Sequence, residues 1–190
     1  MRIVFLGPPG AGKGTQAQRL NDYLQLAHLS TGEMLRDAAD SDTPLGREAA
    51  QYLNSGRLVP DEVVVGVVAE RLSEKDCAGG CLFDGFPRTE PQAEQLDRLL
   101  AERDMPLDLV LAIEVPEKEL VDRLLARGRH DDVRETILER FRQYMLLTEP
   151  LLNYYRSRGI LWSIDGRGTP DQVFARIQNA VNSAAKVDSP

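Results

Sequence analysis

The stretch GPPGAGKGT occupies residues 7–15 and directly follows the apolar run IVFL at residues 3–6. Its spacing, G-x4-G-K between a predicted strand and a predicted helix, is typical of a phosphate-binding loop. Glycines let backbone N–H groups turn towards an anion, the helix N-terminus adds a favourable dipole, and the lysine reaches the outer phosphates. The alternative is a glycine-rich turn that binds nothing. We predict instead that phosphate is bound by Gly10, Ala11, Gly12, Lys13, Gly14 and Thr15.

The residue after Lys13 departs from the usual form of this loop. A serine or threonine commonly stands there and holds Mg²⁺, whereas this chain has Gly14 and places the hydroxyl one residue later, at Thr15. A nucleotide-dependent molecular switch needs that hydroxyl. The loop therefore argues against a switch.

Apolar strand-like runs alternate with helical patterns along the chain. The predicted strands lie at residues 3–6, 82–83, 109–113 and 160–164. Predicted helices follow Lys13, start at a capping Asp61, run over 117–127 and over about 133–156 with a bend near Pro150, and begin again at Pro170. Continuous apolar strands that alternate with helices indicate a parallel α/β sheet covered on both faces. Ligands then bind at the carboxyl ends of the strands.

Composition and charge limit the classes of function. The chain has 190 residues, 42% of them hydrophobic and 28% charged, with a formal net charge of −7. These values fit one soluble domain, and the acidic balance excludes a nucleic acid polymer as partner. We see no membrane-spanning run and no signal peptide, so we expect a cytoplasmic protein without a membrane partner. Two cysteines, Cys77 and Cys81, are too few for a structural zinc site.

Four arginines cluster between residues 123 and 140. Arg123 and Arg127 lie at i and i+4, so they share one helix face; Arg129 follows closely, and Arg140 lies on the next helix. Like charges stacked in this way repel unless an anion lies between them. The cluster is either a solvated face or a second phosphate site. Phosphoryl transfer relies on such positioned charge.

Six blocks of sequence resemble the nucleoside monophosphate kinases, and adenylate kinases most closely. They are GPPGAGKGTQ at 7–16, LSTGEMLR at 29–36, SGRLVPD at 55–61, LFDGFPRT at 82–89, the stretch 127–140, and DG at 165–166. Because they keep their order over nearly the whole chain, chance similarity is excluded. The resemblance implies a P-loop three-layer α/β sandwich with a central parallel sheet and a helical AMP-binding insertion. It also implies a monomer that reversibly transfers a phosphoryl group from ATP to AMP, giving two ADP, in adenine nucleotide homeostasis.

The resemblance also implies a role for each matching residue. ATP would contact the loop residues 10–15 together with Arg123, Arg127 and Gly168. The phosphoryl group would be handled by Lys13, Arg88, Arg123, Arg127, Arg129 and Arg140. Asp84 would serve Mg²⁺ through its water shell. AMP would contact Thr31, Arg36, Arg57, Leu58, Val59, Gly85, Phe86, Pro87, Arg88, Gln92, Arg129 and Arg140.

Three segments carry further expectations, and two other functions stay open. Residues 30–59 are expected to form a mobile AMP-binding segment, residues 126–133 a very short lid, and residues 186–190 a frayed tail. A UMP or CMP kinase is the first alternative, and Thr31 speaks against it because similar pyrimidine kinases usually have alanine there. A non-catalytic nucleotide-binding switch, from a different class, is the second.

Overall fold

The structure is a computed structural model that covers residues 1–40, 44–128 and 133–187. Its centre is a five-stranded parallel sheet in the order β2-β3-β1-β4-β5. The strands are β1 (Arg2–Leu6), β2 (Ala27–Ser30), β3 (Cys81–Asp84), β4 (Leu109–Glu114) and β5 (Leu161–Asp165). The predicted parallel α/β sheet is confirmed.

Helices connect the strands. They are α1 (Lys13–Leu24), α2 (Thr31–Asp40), α3 (Pro44–Ser55), α4 (Asp61–Leu72), α5 (Glu90–Ala101), α6 (Glu117–Arg127), α7 (Arg134–Gln143), α8 (Leu151–Arg156) and α9 (Pro170–Val187). A 3-10 helix spans Lys75–Gly79, and a π-helix spans Tyr144–Thr148. None of the helices within the described residues has the length and apolar character needed to cross a membrane.

Alternate side chains of each strand enter two separate cores, which explains why the strands read as continuous apolar runs. Val4 and Leu6 of β1 pack on one face with α4, α5 and α8, whereas Ile3 and Phe5 pack on the other with α1, α6 and α9. All four side chains are at most 2% exposed. The sheet is therefore the middle layer of a three-layer sandwich.

The sheet register brings the ends of three strands to one level. Asp84 at the end of β3 pairs with Phe5 of β1 and with Ser30 of β2. The loop after β1, the start of α2 and the turn after β3 therefore leave the sheet side by side. The helices α2 and α3 form an insertion between β2 and α4.

Two sequence-based expectations need correction, and one strand, β2, was not predicted. The helix predicted over 133–156 is interrupted by a π-helix at Tyr144–Thr148, before Pro150 rather than at it. Asp61 is the first residue of α4, not its cap, which is Pro60. The last helix ends at Val187, and residues 188–190 lie outside the described residues, so the frayed tail expected over 186–190 stays a prediction.

Candidate functional site

The loop between β1 and α1 is shaped by glycines that no other residue could replace without strain. Gly7, Gly10 and Gly12 have φ angles of 144°, 82° and 90°. A Cβ at Gly7 would lie 2.7 Å from the Ile113 carbonyl oxygen, and one at Gly10 would lie 2.8 Å from that of Leu120. The loop therefore packs directly against β4 and α6 with its backbone turned to the cleft.

Lys13 begins α1 and folds back over this loop. Its Nζ donates hydrogen bonds to the carbonyl oxygens of Gly7 at 2.8 Å and Pro8 at 3.0 Å. The side chain thus lies across the mouth of the loop, where phosphates would bind. This arrangement agrees with the geometry expected of a phosphate-binding lysine.

The opposite wall of the cleft is formed by α2 and the turn after β3. Thr31 donates its hydroxyl to the carbonyl oxygen of Asp84 at 3.3 Å, and a Cβ at Gly85 would come within 2.8 Å of that hydroxyl. Arg36 folds back over Gly32, so that a Cβ there would lie 3.3 Å from its Nη1. The contact between Gly85 and Thr31 therefore holds the start of α2 against the turn after β3.

Arg88 is a half-buried cation that lines the cleft. Its Nε donates to the carbonyl oxygen of Gly85 at 2.7 Å, and its own carbonyl oxygen accepts from the hydroxyl of Thr148 at 2.8 Å. Burial lowers the pKa of the Arg88 guanidinium; Asp84 opposes this shift, and the charges of Arg140 and Arg36 add to it. Three arginines therefore converge on one region of the cleft.

Gln92 is bound on both sides by the protein. Its Oε1 accepts the backbone N–H of Arg88 at 2.7 Å, and its Nε2 donates to Asp61 Oδ1 at 2.7 Å. The side chain is 2% exposed, yet it lines the cleft. Gln92 therefore has only part of its hydrogen-bonding capacity left for a ligand.

Asp84 faces the phosphate loop from the end of β3. Its Oδ2 would lie 3.4 Å from a Cβ at Gly14, and it lies 3.9 Å from Nε2 of His28. The carboxylate side chain is 13% exposed. A carboxylate in this position suits a hydrated cation bound beside the loop.

Arg123 reaches the loop after β5. Its Nη2 donates to Glu119 Oε2 at 3.2 Å and to the carbonyl oxygen of Gly166 at 3.1 Å. A Cβ at Gly166 would lie 2.5 Å from Val115 Cγ2, so this loop is pressed against the end of β4. The loop and Arg123 form one end of the cleft.

These walls enclose a cavity of about 610 Å³. Among the expected site residues, its lining includes Gly10, Ala11, Gly12, Lys13, Gly14, Thr15, Thr31, Arg36, Arg57, Leu58, Val59, Asp84, Gly85, Pro87, Arg88, Gln92, Arg123, Arg140 and Gly168. Phe86 is not part of it, because its side chain is fully buried in the apolar core. Arg129 lies outside the described residues, as does the side chain of Arg127.

Sequence reasoning missed several lining residues. Tyr144 and Thr148 belong to the π-helix and line the cleft, and Thr148 contacts Arg88, which lies 60 residues earlier in the chain. Burial, with smaller contributions from Glu149 and Glu114, raises the pKa of Tyr144 to about 12, so its phenol remains a neutral donor. Gln16, which follows the phosphate loop directly, also lines the cleft and could have been predicted from its position.

The sequence of the chain is similar to that of known proteins. The family model described as adenylate kinase matches residues 5–160. An adenylate kinase from Thermus thermophilus is 50% identical over 183 residues, which covers 94% of this chain and 96% of the relative. One from Leptospira biflexa is 45% identical over 184 residues, covering 95% and 99%.

A third relative differs in length. The adenylate kinase from Thermodesulfovibrio yellowstonii is 45% identical over 208 residues, covering 93% of this chain and 97% of the relative. That alignment is longer than the present chain of 190 residues. The relative therefore contains residues without a counterpart here, whereas the Thermus and Leptospira proteins are close to this chain in length.

Proposed function

The chain belongs to the adenylate kinase family, and on that premise we propose that its cleft reversibly transfers the terminal phosphoryl group of ATP to AMP, giving two ADP. ATP binds along the phosphate loop, and AMP binds between α2 and the turn after β3. The transferred group passes between the two walls. The protein's role is then adenine nucleotide homeostasis.

The donor side is supported by the phosphate loop and by Arg123. The ammonium group of Lys13 is held by the carbonyl oxygens of Gly7 and Pro8. A phosphate offers the ammonium a charge-assisted hydrogen bond, which is stronger than one to a neutral carbonyl. Arg123 and Gly168 lie at the end of the cleft where the ATP base would bind. We assign Arg127 to ATP as well, on the family resemblance.

The observation that carries the proposal is the convergence of Arg36, Arg88 and Arg140 in the cleft opposite the phosphate loop. Arg88 is half-buried, and desolvation together with neighbouring cations disfavours its charge, so an anion there would relieve that cost. Arginine is suited to bidentate binding of a phosphate. In phosphoryl transfer the protein mainly positions the reactants and stabilises developing charge. In this cleft the phosphate loop lies on one side and the three arginines on the other, so both reactants can be positioned.

The remaining contacts to AMP, the phosphoryl acceptor, are those to its base. Leu58 and Val59 line the cleft near Thr31, and Gln92 offers its remaining donor and acceptor there. Arg57 is exposed at the outer edge. We assign Arg129 to AMP and to the transferred phosphoryl group by resemblance.

We propose that Mg²⁺ enters the site bound to the phosphates of ATP. Its charge would neutralise the phosphate oxygens as negative charge shifts between them. Asp84 is the residue that would hold the hydrated ion, because its carboxylate faces Gly14 of the phosphate loop. We propose no structural zinc.

Membership of the family also supports proposals about mobile segments, cellular location and oligomeric state. We propose that residues 30–59, which contain α2 and α3, form a mobile AMP-binding segment, and that residues 126–133 form a short lid. A length close to that of the Thermus and Leptospira relatives supports the short form. We further propose a cytoplasmic monomer.

A coupled assay of the purified protein with ATP and each of AMP, CMP, UMP and GMP tests the function. We expect AMP to be the best acceptor, with activity lost in excess chelator and restored by Mg²⁺. Use of UMP or CMP as well as AMP would favour the pyrimidine kinase. Nucleotide binding without ADP formation would favour the non-catalytic switch.

A further inference from the structure

Asp61 binds two residues at the start of α5, directly after the turn that presents Arg88. Its Oδ1 accepts from Nε2 of Gln92 at 2.7 Å, and its Oδ2 accepts from the hydroxyl of Thr89 at 2.8 Å. Both carboxylate oxygens are therefore used. Asp61 begins α4, so the contact joins the helix that follows the proposed AMP-binding segment to the N-terminus of α5.

These contacts determine which way the amide group of Gln92 points. The backbone N–H of Arg88 is a donor and therefore needs the oxygen of the amide, which it contacts at 2.7 Å. The carboxylate of Asp61 only accepts and therefore needs the NH₂ group. A flipped amide would place a donor against the Arg88 N–H and an oxygen against the Asp61 carboxylate. Both contacts would be repulsive.

We propose that Asp61 is a positioning residue that fixes the amide orientation of Gln92 and thereby the selectivity of the acceptor site for adenine. The inference rests on the proposed function, because it assumes that AMP binds beside Gln92. In the fixed orientation Gln92 retains one N–H and one acceptor position on Oε1, and it lines the cleft. The free N–H and the free acceptor position of Oε1 therefore each stay on one side of the amide.

Adenine suits this arrangement, and hypoxanthine does not. Adenine carries an amino donor beside a ring nitrogen acceptor. Hypoxanthine has the same size but carries a carbonyl acceptor beside a ring N–H donor, which is the reverse pattern. A Gln92 amide that was free to flip could match either base. A site built to hydrogen-bond one pattern discriminates strongly against a ligand that lacks it.

The test compares Asp61→Asn with Glu62→Gln in assays with AMP or IMP as acceptor. Asparagine has the shape of aspartate but lacks its charge, so a neutral hydrogen bond to the Gln92 NH₂ replaces a charge-assisted one, which weakens the restraint on the amide. Glu62→Gln removes the same charge from the next residue, which is exposed. We expect Asp61→Asn to lower the AMP-to-IMP ratio of kcat/KM by ~10- to 100-fold, with KM for ATP unchanged. Glu62→Gln should leave the ratio unchanged.

A double substitution separates positioning from general destabilisation. If Asp61 acts through Gln92, Asp61→Asn should have no further effect on the AMP-to-IMP ratio in a Gln92→Leu background. An unchanged ratio in Asp61→Asn, or an equal drop in both backgrounds, would overturn the inference. Failure of the wild-type protein to use AMP at all would instead overturn the proposed function.

A further measurement needs no change at position 61. The side-chain amide signal of Gln92 can be assigned by NMR from its loss in Gln92→Leu. In the wild-type protein we expect its protons to exchange with water more slowly than those of the exposed Gln51, because one of them is bound to Asp61. Exchange as fast as that of Gln51 would contradict the inference.

Discussion

The hydroxyl of Thr136 donates a hydrogen bond to the carbonyl oxygen of Asn54 at 3.2 Å and thereby joins α7 to the end of α3. Gly56 lies directly beneath this contact. A Cβ at Gly56 would be 2.8 Å from the Thr136 carbonyl oxygen and 3.4 Å from Cγ of Arg140. The end of the proposed AMP-binding segment therefore rests on the helix that carries Arg140.

Gly56→Ala should destabilise the protein, whereas Gly66→Ala should not. Gly56 has a φ of +72° and no room for a methyl group, so we expect the free energy of unfolding to fall by ~1–3 kcal/mol. Gly66 lies within α4, and the space that a methyl group would take there has no heavy atom within 4 Å. There alanine should raise the free energy of unfolding by ~0.5–1 kcal/mol. Urea denaturation measures both; equal effects would contradict the close packing at Gly56.

Lys13→Met should abolish catalysis and leave the fold intact. The Lys13 ammonium contacts loop carbonyls at the cleft and is not part of either apolar core. We expect kcat to fall by at least ~10³-fold, the scale for removing a key electrostatic group. The circular dichroism spectrum should be unchanged, and Lys75→Met, on the exposed 3-10 helix, should be fully active. More than a tenth of wild-type activity in Lys13→Met would refute the assignment.

Cys81 should make the protein less stable at alkaline pH. Burial, and then the nearby Cys77, raises the pKa of the Cys81 thiol to about 12, whereas in an unfolded chain it is about 8.5. Below pH 8.5 both states keep the proton and stability does not change. Between about pH 8.5 and 12 only the unfolded chain loses it, so the free energy of unfolding falls by about 1.4 kcal/mol per pH unit.

Urea denaturation of wild type and Cys81→Ala from pH 7 to 10.5 measures this effect. The variant should lose stability less steeply above pH 8.5, while the two curves should be parallel below it. The comparison uses slopes because alanine also leaves a small cavity at every pH. Identical slopes above pH 9 would show that the thiol ionises as readily in the folded protein.

Signals in adjacent residues were sufficient to predict most of the strands and helices. The phosphate loop, the apolar strands and the start of α9 at Pro170 each carry their signal in adjacent residues. Strand β2 was missed because its sequence, AHLS, is four residues long and contains His28 and Ser30. It is a strand because β3 pairs along its whole length, which is a tertiary cause. The π-helix at Tyr144–Thr148 was missed because Pro150 predicts a bend only near itself.

Contacts distant in sequence explain what was missed in the site. The sequence predicts Asp61 as a helix cap, but it is the first residue of α4, and its carboxylate binds Thr89 and Gln92, 28 and 31 residues later. Thr148 binds the carbonyl oxygen of Arg88, 60 residues away. The residues of the motifs could be predicted because their spacing is local. The residues that orient them become visible only when the chain folds.

Arg88→Met should remove the response to AMP without lowering the stability of the ligand-free protein. Burial, Arg140 and Arg36 each disfavour the charge of Arg88, as its lowered pKa indicates, so a neutral side chain relieves an electrostatic cost. This gain opposes the loss of the hydrogen bond to the Gly85 carbonyl. We therefore expect a thermal unfolding midpoint at or above that of the wild type without ligand. Functional sites often hold such unfavourable charge at the expense of stability.

AMP should reverse this order, because its phosphate compensates the charge of Arg88 in the wild type only. A ligand at 100 times its Kd stabilises a folded protein by about 2.7 kcal/mol, so saturating AMP should raise the wild-type midpoint clearly. The midpoint of Arg88→Met should barely move at the same concentration. Arg98→Met, on the exposed side of α5, should respond to AMP like the wild type. An Arg88→Met protein that AMP stabilises as much as the wild type would show that the acceptor phosphate binds elsewhere.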